Sequence, residues 1–328
     1  MQKTLKQLVL LPQGSSFEQV ALQVFGYQYN AVPVYKQFCN SLKRTPENVN
    51  TIADIPFLPV QFFKSHKVIT TGFEAQKVFE SSTTTGATPS QHFVADVSLY
   101  EESYLKAFEL FYGSPSQYCF LALLPSYLDR GTSSLLYMAD DLIKRSNNPL
   151  SCFINKDFDE LNRRIHAAKQ LNQKIFLLGV TYALLDFAEQ HPTNLSGSII
   201  METGGMKGRR KEITRQEIHN ILTNAFNVDA IHSEYGMTEL LSQGYSNGNG
   251  IFRCPPWMRI IARDPYDPFS YVEPGTTGAL NIIDLANLYS CAFIAVSDLG
   301  KVYADGSFEV LGRIDSAEIR GCNLMYDL

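Results

Sequence analysis

A run of hydroxyl side chains near residue 85 has the composition of a phosphate-binding loop. The stretch SSTTTGATPS, residues 81–90, combines short Ser and Thr side chains with Gly86 and Pro89. Small residues let backbone N–H groups converge on an anion, and hydroxyl groups add donors around it. The stretch lacks the Gly-Lys-Ser/Thr ending of a Walker loop, and Ser/Thr-rich turns also occur without any ligand. By itself it is compatible with either a phosphate loop or an ordinary turn.

Three further stretches place polar residues beside turns. They are METGGMKGRR (201–210), SEYGMTEL (233–240) and VSDLGKVYADGSFEVLGRID (296–315). Each has an explanation that needs no ligand: a Gly-Gly turn before a helix, a strand that ends in a turn, and an aspartate that caps a turn. Taken singly, none of these stretches assigns a function.

The apolar periodicity outlines the elements that must position these stretches. Apolar residues at three- and four-residue steps predict helices at 96–113, 158–172, 181–191 and 214–226, the last beginning with a Thr-x-x-Glu capping box. Continuous or alternating apolar runs predict strands at 118–125, 174–180, 197–203 and 228–236. This alternation predicts a mostly parallel sheet covered by helices, with ligands at the carboxyl ends of its strands.

The pattern changes at both ends of this region. The first 65 residues or so read as helices that end in the proline-containing segment IPFLPVQFFKSH (55–66). Its prolines impose extended backbone, and we predict that it lies over the main sheet and holds it like a clasp. From about residue 250 the pattern is short strands, with a hairpin signal at Asp305-Gly306. We therefore predict a main α/β domain at 1–248, with a helical N-terminal part, and a β-rich subdomain with the C-terminal tail at 249–328.

Composition excludes several classes of function. The 328-residue chain is 45% hydrophobic and has a net charge of −5, which gives no electrostatic reason to expect nucleic acid as a partner. The apolar run at the N-terminus is too short for a signal peptide or a membrane span, so a cytoplasmic protein is expected. The cysteines show no spacing typical of disulfides or zinc, and most are expected to be buried; they are Cys39, Cys119, Cys152, Cys254, Cys291 and Cys322.

Together and in this order, the four polar stretches resemble the signature segments of the adenylate-forming superfamily, which contains acyl- and aryl-acid ligases, luciferases and adenylation domains. The resemblance covers about residues 50 to 320. Residues 55–66 and the tail GRIDSAEIRGCNLMYDL (312–328) further resemble the LuxE-type acyl-protein synthetases, the fatty-acid-activating subunits of the bacterial luminescence fatty-acid reductase. The resemblance implies an adenylate-forming N-terminal domain with helix-covered mixed sheets and a small β-rich subdomain, and the mobile C-terminal lid domain is expected to be absent.

The resemblance also implies a nucleotide site. It assigns the pyrophosphate cradle to Ser81, Ser82, Thr83, Thr84, Thr85 and Gly86. Weaker phosphate binding is expected because Ser90 occupies a position where a lysine is common in the superfamily. The resemblance assigns the adenine end of ATP to Gly204, Gly205, Glu234, Tyr235 and Gly236, with Tyr235 against the face of the base.

The reacting end of the site is implied in the same way. Thr238 would contact the α-phosphate, and Glu239 would bind a magnesium ion. Asp298 would accept hydrogen bonds from both ribose hydroxyls, and Arg313 would be the cation near ribose and phosphate. Cys322 lies where the acyl-protein synthetases carry their acyl acceptor.

These roles imply an ATP-dependent and Mg²⁺-dependent acyl-protein synthetase. It would activate a fatty or other hydrophobic acid as the acyl-adenylate and transfer the acyl group to Cys322, then to a partner protein such as a reductase. An acid–coenzyme A ligase resembling the phenylacetate–coenzyme A ligases, without self-acylation, is an alternative. A nucleotide- or acyl-binding module that has lost catalysis is another.

Overall fold

The described residues group into two compact units. The computed structural model describes residues 2–10, 16–81, 88–125, 131–204 and 213–314. Unit 1 takes its residues from 1–103, 238–242 and 253–328, and unit 2 from 104–237 and 243–252. The short segment 238–242 thus belongs to unit 1, although unit 2 surrounds it in sequence. The division at residue 248, drawn from the change in strand pattern, stays a prediction.

The secondary structure mixes helices and strands throughout. The helices are α1 (Gln2–Leu8), α2 (Phe17–Ala31), α3 (Pro33–Ser41), α4 (Phe62–Ser65), α5 (Val97–Tyr112), α6 (Ser134–Ser146), α7 (Phe158–Gln170), α8 (Thr181–Gln190) and α9 (Arg215–Phe226). The strands are β1 (Leu58–Pro59), β2 (Lys77–Glu80), β3 (Gln91–Val94), β4 (Tyr118–Leu123), β5 (Cys152–Ile154), β6 (Lys174–Val180), β7 (Ile199–Thr203), β8 (His232–Tyr235), β9 (Gly244–Ser246), β10 (Phe252–Arg253), β11 (Met258–Arg263), β12 (Thr277–Asp284), β13 (Phe293–Val302) and β14 (Phe308–Arg313).

Unit 2 is built on a sheet with the strand order β9-β8-β7-β6-β4-β5. Strands β4 to β8 run parallel, and β9 returns antiparallel to β8. All six residues of β4 are buried, as expected for a strand covered on both faces. Helices α7 and α8 pack on β6. The predicted helix-covered, mostly parallel sheet is confirmed in this unit.

Local sequence signals set the ends of the helices in unit 2. Helix α9 begins with the predicted capping box, in which Thr214 Oγ1 accepts from the Glu217 backbone N–H and the Glu217 carboxylate accepts from the Thr214 N–H. The helix ends at Asn227, which adopts the left-handed conformation. These caps set the two ends of α9, the helix that precedes β8 in the chain.

Unit 1 contains an antiparallel sheet with the order β11-β12-β13-β14. Its β13–β14 hairpin turns at Asp305 and Gly306 as predicted, with Gly306 at φ +80°. Asp305 Oδ1 accepts from the Ser307 N–H at 3.0 Å, which stabilises the turn. This hairpin sets the register between the two ends of the stretch 296–315.

The proline-containing segment 55–66 joins this sheet instead of covering it. Strand β1 pairs in parallel with β13, with Leu58 opposite Ile294 and the Val60 N–H donating to the Ala295 oxygen at 2.9 Å. The prediction that this segment lies over the main sheet is therefore wrong. Extended backbone is also the conformation that a strand needs, and Pro59, which has no N–H, is tolerated where pairing is this short.

Aromatic side chains fill the space between the N-terminal helices and the sheet of unit 1. The ring of Tyr35 on α3 stacks at 6.1 Å on Phe293 of β13, and its hydroxyl donates to the Pro56 oxygen at 2.7 Å.

Among the residues that the structure describes, no helix has the length and apolar content needed to cross a membrane.

Candidate active site

Two neighbouring strand ends in unit 2 bring together the described residues of the predicted adenine end. Strands β7 and β8 are parallel, with Thr203 opposite Glu234. Gly204 follows the end of β7 at φ +71°, and Gly236 follows Tyr235, the last residue of β8. These residues therefore lie at the carboxyl edge of the parallel sheet, as the sequence predicted.

Glu234 is a buried carboxylate at this edge. The Thr203 hydroxyl donates to it. Burial, together with the nearby Glu202 charge, raises the pKa of Glu234 to about 7, although the Thr203 hydrogen bond acts in the opposite direction. A Cβ atom at position 236 would lie 2.3 Å from Glu234 Oε1, so Gly236 leaves room for this carboxyl group. Glu234 can therefore exchange a proton near neutral pH.

Tyr235 belongs to an aromatic pair. Its ring centroid is 6.1 Å from that of Phe252, at an interplanar angle of 64°. The guanidinium of Arg215 lies 5.2 Å from the centre of the Phe252 ring. Such a half-buried aromatic group offers a flat apolar surface beside polar backbone.

The opposite face of β7 carries a charged cluster that the sequence analysis missed. Glu202 points away from Glu234, because it pairs with Ser233 and side chains alternate along a strand. It accepts from Thr181 Oγ1 at 2.7 Å, and nitrogens of Arg215 and His219 each lie 3.8 Å away. Burial would raise the pKa of Glu202, but these polar partners hold it below its ordinary value. The cluster neutralises a buried charge behind the strand ends.

The two strands that flank the predicted phosphate loop lie in unit 1. Strands β2 and β3 form an antiparallel pair, and the Ser81 N–H donates to the Ser90 oxygen at 3.0 Å. The Ser90 N–H in turn donates to Ser81 Oγ at 2.9 Å. The rest of the predicted cradle lies outside the described residues, as do two other predicted positions; these are Ser82, Thr83, Thr84, Thr85, Gly86, Gly205 and Cys322.

Glu239 is a second buried carboxylate, and it belongs to unit 1. Only 4% of this residue is exposed. Burial raises the pKa of Glu239, while a hydrogen bond from Ser90 and the charges of Lys64 and Arg313 act against the shift. Ser90, which occupies the position where a lysine is common, thus contacts the predicted metal ligand. The neighbouring Thr238 is half-buried.

Asp298 and Arg313 form an ion pair across the β13–β14 hairpin. They lie opposite each other in the ladder, and Arg313 Nε is 3.1 Å from Asp298 Oδ1. The Arg313 side chain is 76% exposed, whereas that of Asp298 is 13% exposed. The hairpin therefore unites the two residues assigned to ribose, and its arginine faces solvent.

A magnesium ion would suit Glu239. Among the described residues, no three His, Cys, Asp or Glu side chains form a cluster able to hold a metal by themselves. Mg²⁺ that binds with a nucleotide takes most of its ligands from phosphates and water, so one or two protein carboxylates suffice. A single buried carboxylate fits that pattern.

Comparison with known proteins identifies the family. The family model for acyl-protein synthetase, LuxE, matches residues 12–107 and 122–327. The chain belongs to the LuxE family of acyl-protein synthetases. The resemblance drawn from the four polar stretches and the two ends is confirmed, and at the level of the family so is the class of enzyme, an ATP-dependent acyl-protein ligase.

One curated relative aligns with most of the chain. The long-chain-fatty-acid–luciferin-component ligase of Aliivibrio fischeri is 22% identical over 353 residues, which cover 95% of this chain and 90% of the relative. The LuxE chain therefore aligns with nearly the whole of this ligase.

Solved structures confirm the adenylate-forming fold of the LuxE chain. ATP-bound MatB from Rhodopseudomonas palustris superposes with a TM-score of 0.55 at 17% identity, over 72% of this chain and 47% of MatB. An open conformation of 2-hydroxyisobutyryl-CoA ligase, in complex with 2-HIB-AMP and CoA, gives a TM-score of 0.66 at 13% identity, over 93% of this chain and 75% of that one. The LuxE chain thus spans about half the length of MatB.

The pH dependence of stability should reveal Glu234. Its folded pKa, about 7, lies above the unfolded value of 4.5, so it contributes stability below pH 4.5 that is lost as the pH rises through 7. Glu234→Gln, which resembles the protonated form, should be within about 1 kcal/mol of wild type at pH 5. At pH 8 it should be more stable by up to roughly 3 kcal/mol.

Urea unfolding of the nucleotide-free protein between pH 5 and pH 8 measures this difference. Glu109→Gln is the control for loss of a glutamate charge as such, because Glu109 is exposed on α5 of the same unit. A constant difference between Glu234→Gln and wild type would mean that Glu234 is ionised throughout.

Proposed function

We propose that this LuxE chain uses ATP and Mg²⁺ to activate a fatty or other hydrophobic carboxylic acid, and then passes the acyl group through Cys322 to a partner protein. The observation that carries this proposal is the arrangement in unit 1. There the family's signature residues form a buried carboxylate at Glu239 and a paired Asp298 and Arg313. These are the groups that a metal-bound nucleotide requires.

The nucleotide is bound through its base and its ribose. We assign the base to Tyr235, which offers an aromatic face, and to Gly204 and Gly205, a residue type that allows close backbone approach. Glu234 and Gly236 complete this end of the site. Asp298 accepts hydrogen bonds from the ribose hydroxyls, and Arg313, which is mostly exposed, is available to a phosphate oxygen as well.

The first step joins the acid to AMP. A carboxylate oxygen attacks the α-phosphorus, the bond to the β-phosphate oxygen breaks, and pyrophosphate leaves. We assign residues 81–86 to the departing pyrophosphate, which their hydroxyl and N–H groups would stabilise by donating hydrogen bonds, and Thr238 to the α-phosphate. A Mg²⁺ ion on Glu239 would neutralise the charge that develops on the phosphate oxygens.

The second step moves the acyl group to a thiol. The thiolate of Cys322 attacks the acyl carbonyl, the bond to the phosphate oxygen breaks, and AMP leaves. Burial raises the pKa of all five described cysteines, which favours the protonated and poorly nucleophilic form; they are Cys39, Cys119, Cys152, Cys254 and Cys291. This leaves Cys322 as the thiol best suited to accept the acyl group.

The relative's name supports the substrate, and the family's description supports the acceptor. That ligase joins a long-chain fatty acid to a luciferin component by its name, and we extend the fatty-acid substrate to this chain. The family is described as acyl-protein synthetases, and we extend a protein acceptor, such as a reductase, to this chain as well. We place the reaction in the cytoplasm, because thioester transfer needs reduced thiols and that compartment maintains them.

Exchange of labelled pyrophosphate into ATP tests the proposal. Exchange should require both Mg²⁺ and an acid, and it should increase along a series of straight-chain acids, because each buried methylene adds about 0.8 kcal/mol of apolar transfer energy. The control is the same series of fatty alcohols, which lack the carboxylate. A chain that binds ATP but exchanges no pyrophosphate with any acid would instead be a binding module without catalysis.

A further inference from the structure

The segment 238–242, which contains Thr238 and Glu239, is buried without being part of a helix or a strand. Leu240 is 1% exposed, Leu241 4% and Ser242 0%. Buried backbone groups that have no helix or sheet partner must find hydrogen bonds elsewhere, since leaving them unpaired is costly. In this segment the partners are side chains.

Asn287 and His92 contact backbone carbonyl groups of the segment. Asn287 Nδ2 donates to the Glu239 backbone oxygen at 2.7 Å. Nδ1 of His92 lies 2.8 Å from the Thr238 backbone oxygen, and its Nε2 lies 3.0 Å from Asn287 Oδ1. Burial lowers the pKa of His92 to about 4, and a neutral ring can donate to only one of these two oxygens. Asn287 is therefore the unambiguous donor.

Asp284 contacts backbone N–H groups of the same segment. Its Oδ2 accepts from the backbone N–H groups of Leu241 at 2.7 Å and Ser242 at 3.0 Å, and its Oδ1 accepts from Ser242 Oγ at 2.6 Å. Trp257 Nε1 donates to the same hydroxyl at 3.1 Å. Asp284 thus uses both carboxylate oxygens to fix two consecutive residues.

The three side chains lie on parts of unit 1 that are themselves held firmly. His92 is in β3, Asp284 is the last residue of β12, and Asn287 is in the turn that follows. Gln28 of α2 donates to the backbone oxygen of Asn287 at 2.9 Å and accepts from the Ala292 N–H at 3.0 Å. His92, Asp284 and Asn287 are all 0% exposed. We call these three residues the clamp.

We infer that the clamp residues Asp284, Asn287 and His92 are positioning residues, which hold the Glu239 carboxylate and the Thr238 hydroxyl where the nucleotide and its metal need them. This inference rests on the proposed function. An irregular segment has no hydrogen-bond ladder of its own, so its side chains can be preorganised only by such outside contacts. Outer partners of metal ligands commonly govern metal affinity in this way.

The Mg²⁺ requirement of acid-dependent pyrophosphate exchange tests the clamp. Asn287→Ser removes the donor to Glu239, and Asp284→Ala removes the acceptor for Leu241 and Ser242. Each should raise the Mg²⁺ concentration for half-maximal exchange about tenfold, as loss of an outer partner does. Asp284→Asn, which keeps an oxygen acceptor and the shape, should restore that concentration to within about twofold of wild type.

Ser290→Ala is the matched control. Ser290 lies in the same turn, is 3% exposed, and its hydroxyl donates to the Val68 oxygen at 2.9 Å, which lies outside segment 238–242. It should leave the Mg²⁺ requirement unchanged even if the melting temperature falls as in the clamp variants. An equal increase in Ser290→Ala would show a general loss of stability and overturn the inference.

Glu239→Gln separates failure of the clamp from failure of the proposed metal role. If Glu239→Gln raises the Mg²⁺ requirement and the clamp variants do not, the clamp inference is wrong. If Glu239→Gln has no effect, the metal role is wrong, and amide hydrogen exchange of wild type then decides about the clamp. Leu241 and Ser242 should exchange as slowly as β12, whereas exchange at the rate of exposed turns would overturn the clamp.

Discussion

Replacing Cys322 by Ser should abolish acylation of the chain while leaving acid-dependent pyrophosphate exchange intact. Adenylation does not use the thiol, so only the second step is lost. Wild type incubated with ATP, Mg²⁺ and a long-chain acid should gain one acyl mass, labile to hydroxylamine, on the C-terminal peptide. Cys322→Ser should gain no hydroxylamine-labile thioester, as measured by intact-protein mass spectrometry.

The control for this result is Cys152→Ser. Cys152 is half-buried in β5, and burial raises the pKa of its thiol, so the variant should be acylated like wild type. A thioester that persists in Cys322→Ser would place the acceptor on another cysteine. Unacylated wild type that releases acyl-coenzyme A when coenzyme A is added would favour the coenzyme A ligase alternative.

Asp298→Ala should raise the KM for ATP by roughly a hundredfold, because it removes the carboxylate that accepts hydrogen bonds from two ribose hydroxyls. It should also leave Arg313 without its carboxylate partner at 3.1 Å. The Mg²⁺ requirement at saturating ATP should be unchanged, since Asp298 is assigned to ribose and not to the metal. Initial rates of pyrophosphate exchange across ATP concentrations measure the effect.

Asp305→Ala provides the matched substitution in the same hairpin. Asp305 pairs with Arg253 at 2.8 Å on the exposed turn between β13 and β14. Its loss should leave the KM for ATP within about twofold, because an exposed ion pair contributes little and the lost hydrogen bond to the Ser307 N–H lies at the turn, away from Asp298 and Arg313. If both variants raised the KM equally, the effect would come from the hairpin as a whole. An unchanged KM in Asp298→Ala would remove Asp298 from the ribose site.

Local sequence was sufficient for most elements of unit 2. The strand predicted at 174–180 is β6, Lys174–Val180, and the capping box at Thr214 and Glu217 begins α9 as predicted. Such features depend on residues a few positions apart, whose spacing can be read directly. The same holds for the hairpin at Asp305-Gly306, whereas the register shift between Leu299 and Gly300 that brings Asp298 opposite Arg313 was not predicted.

Contacts between distant residues could not be read in this way. The extended backbone of segment 55–66 was predicted, but a partner strand more than 200 residues away decided that it pairs within the sheet. The pKa of Glu234 was equally hidden, since it depends on burial and on the Glu202 charge in the neighbouring strand. In both cases the sequence defines the group, and its surroundings define its behaviour.

The sequence by itself determined the family, the alternating elements and the chemical types at the strand ends, because motifs and periodicity are local. Tertiary structure alone decided how segment 238–242 is held. Asp284 and Asn287 lie 43 and 48 residues from their partners in that segment, and His92 lies 146 residues away. In the sequence, the one sign of these contacts was a carboxylate or amide within an apolar run. Such a residue does not show which group it will contact. Folding decides the partner, because a polar group that becomes buried must form a hydrogen bond, and leaving it unpaired is too costly.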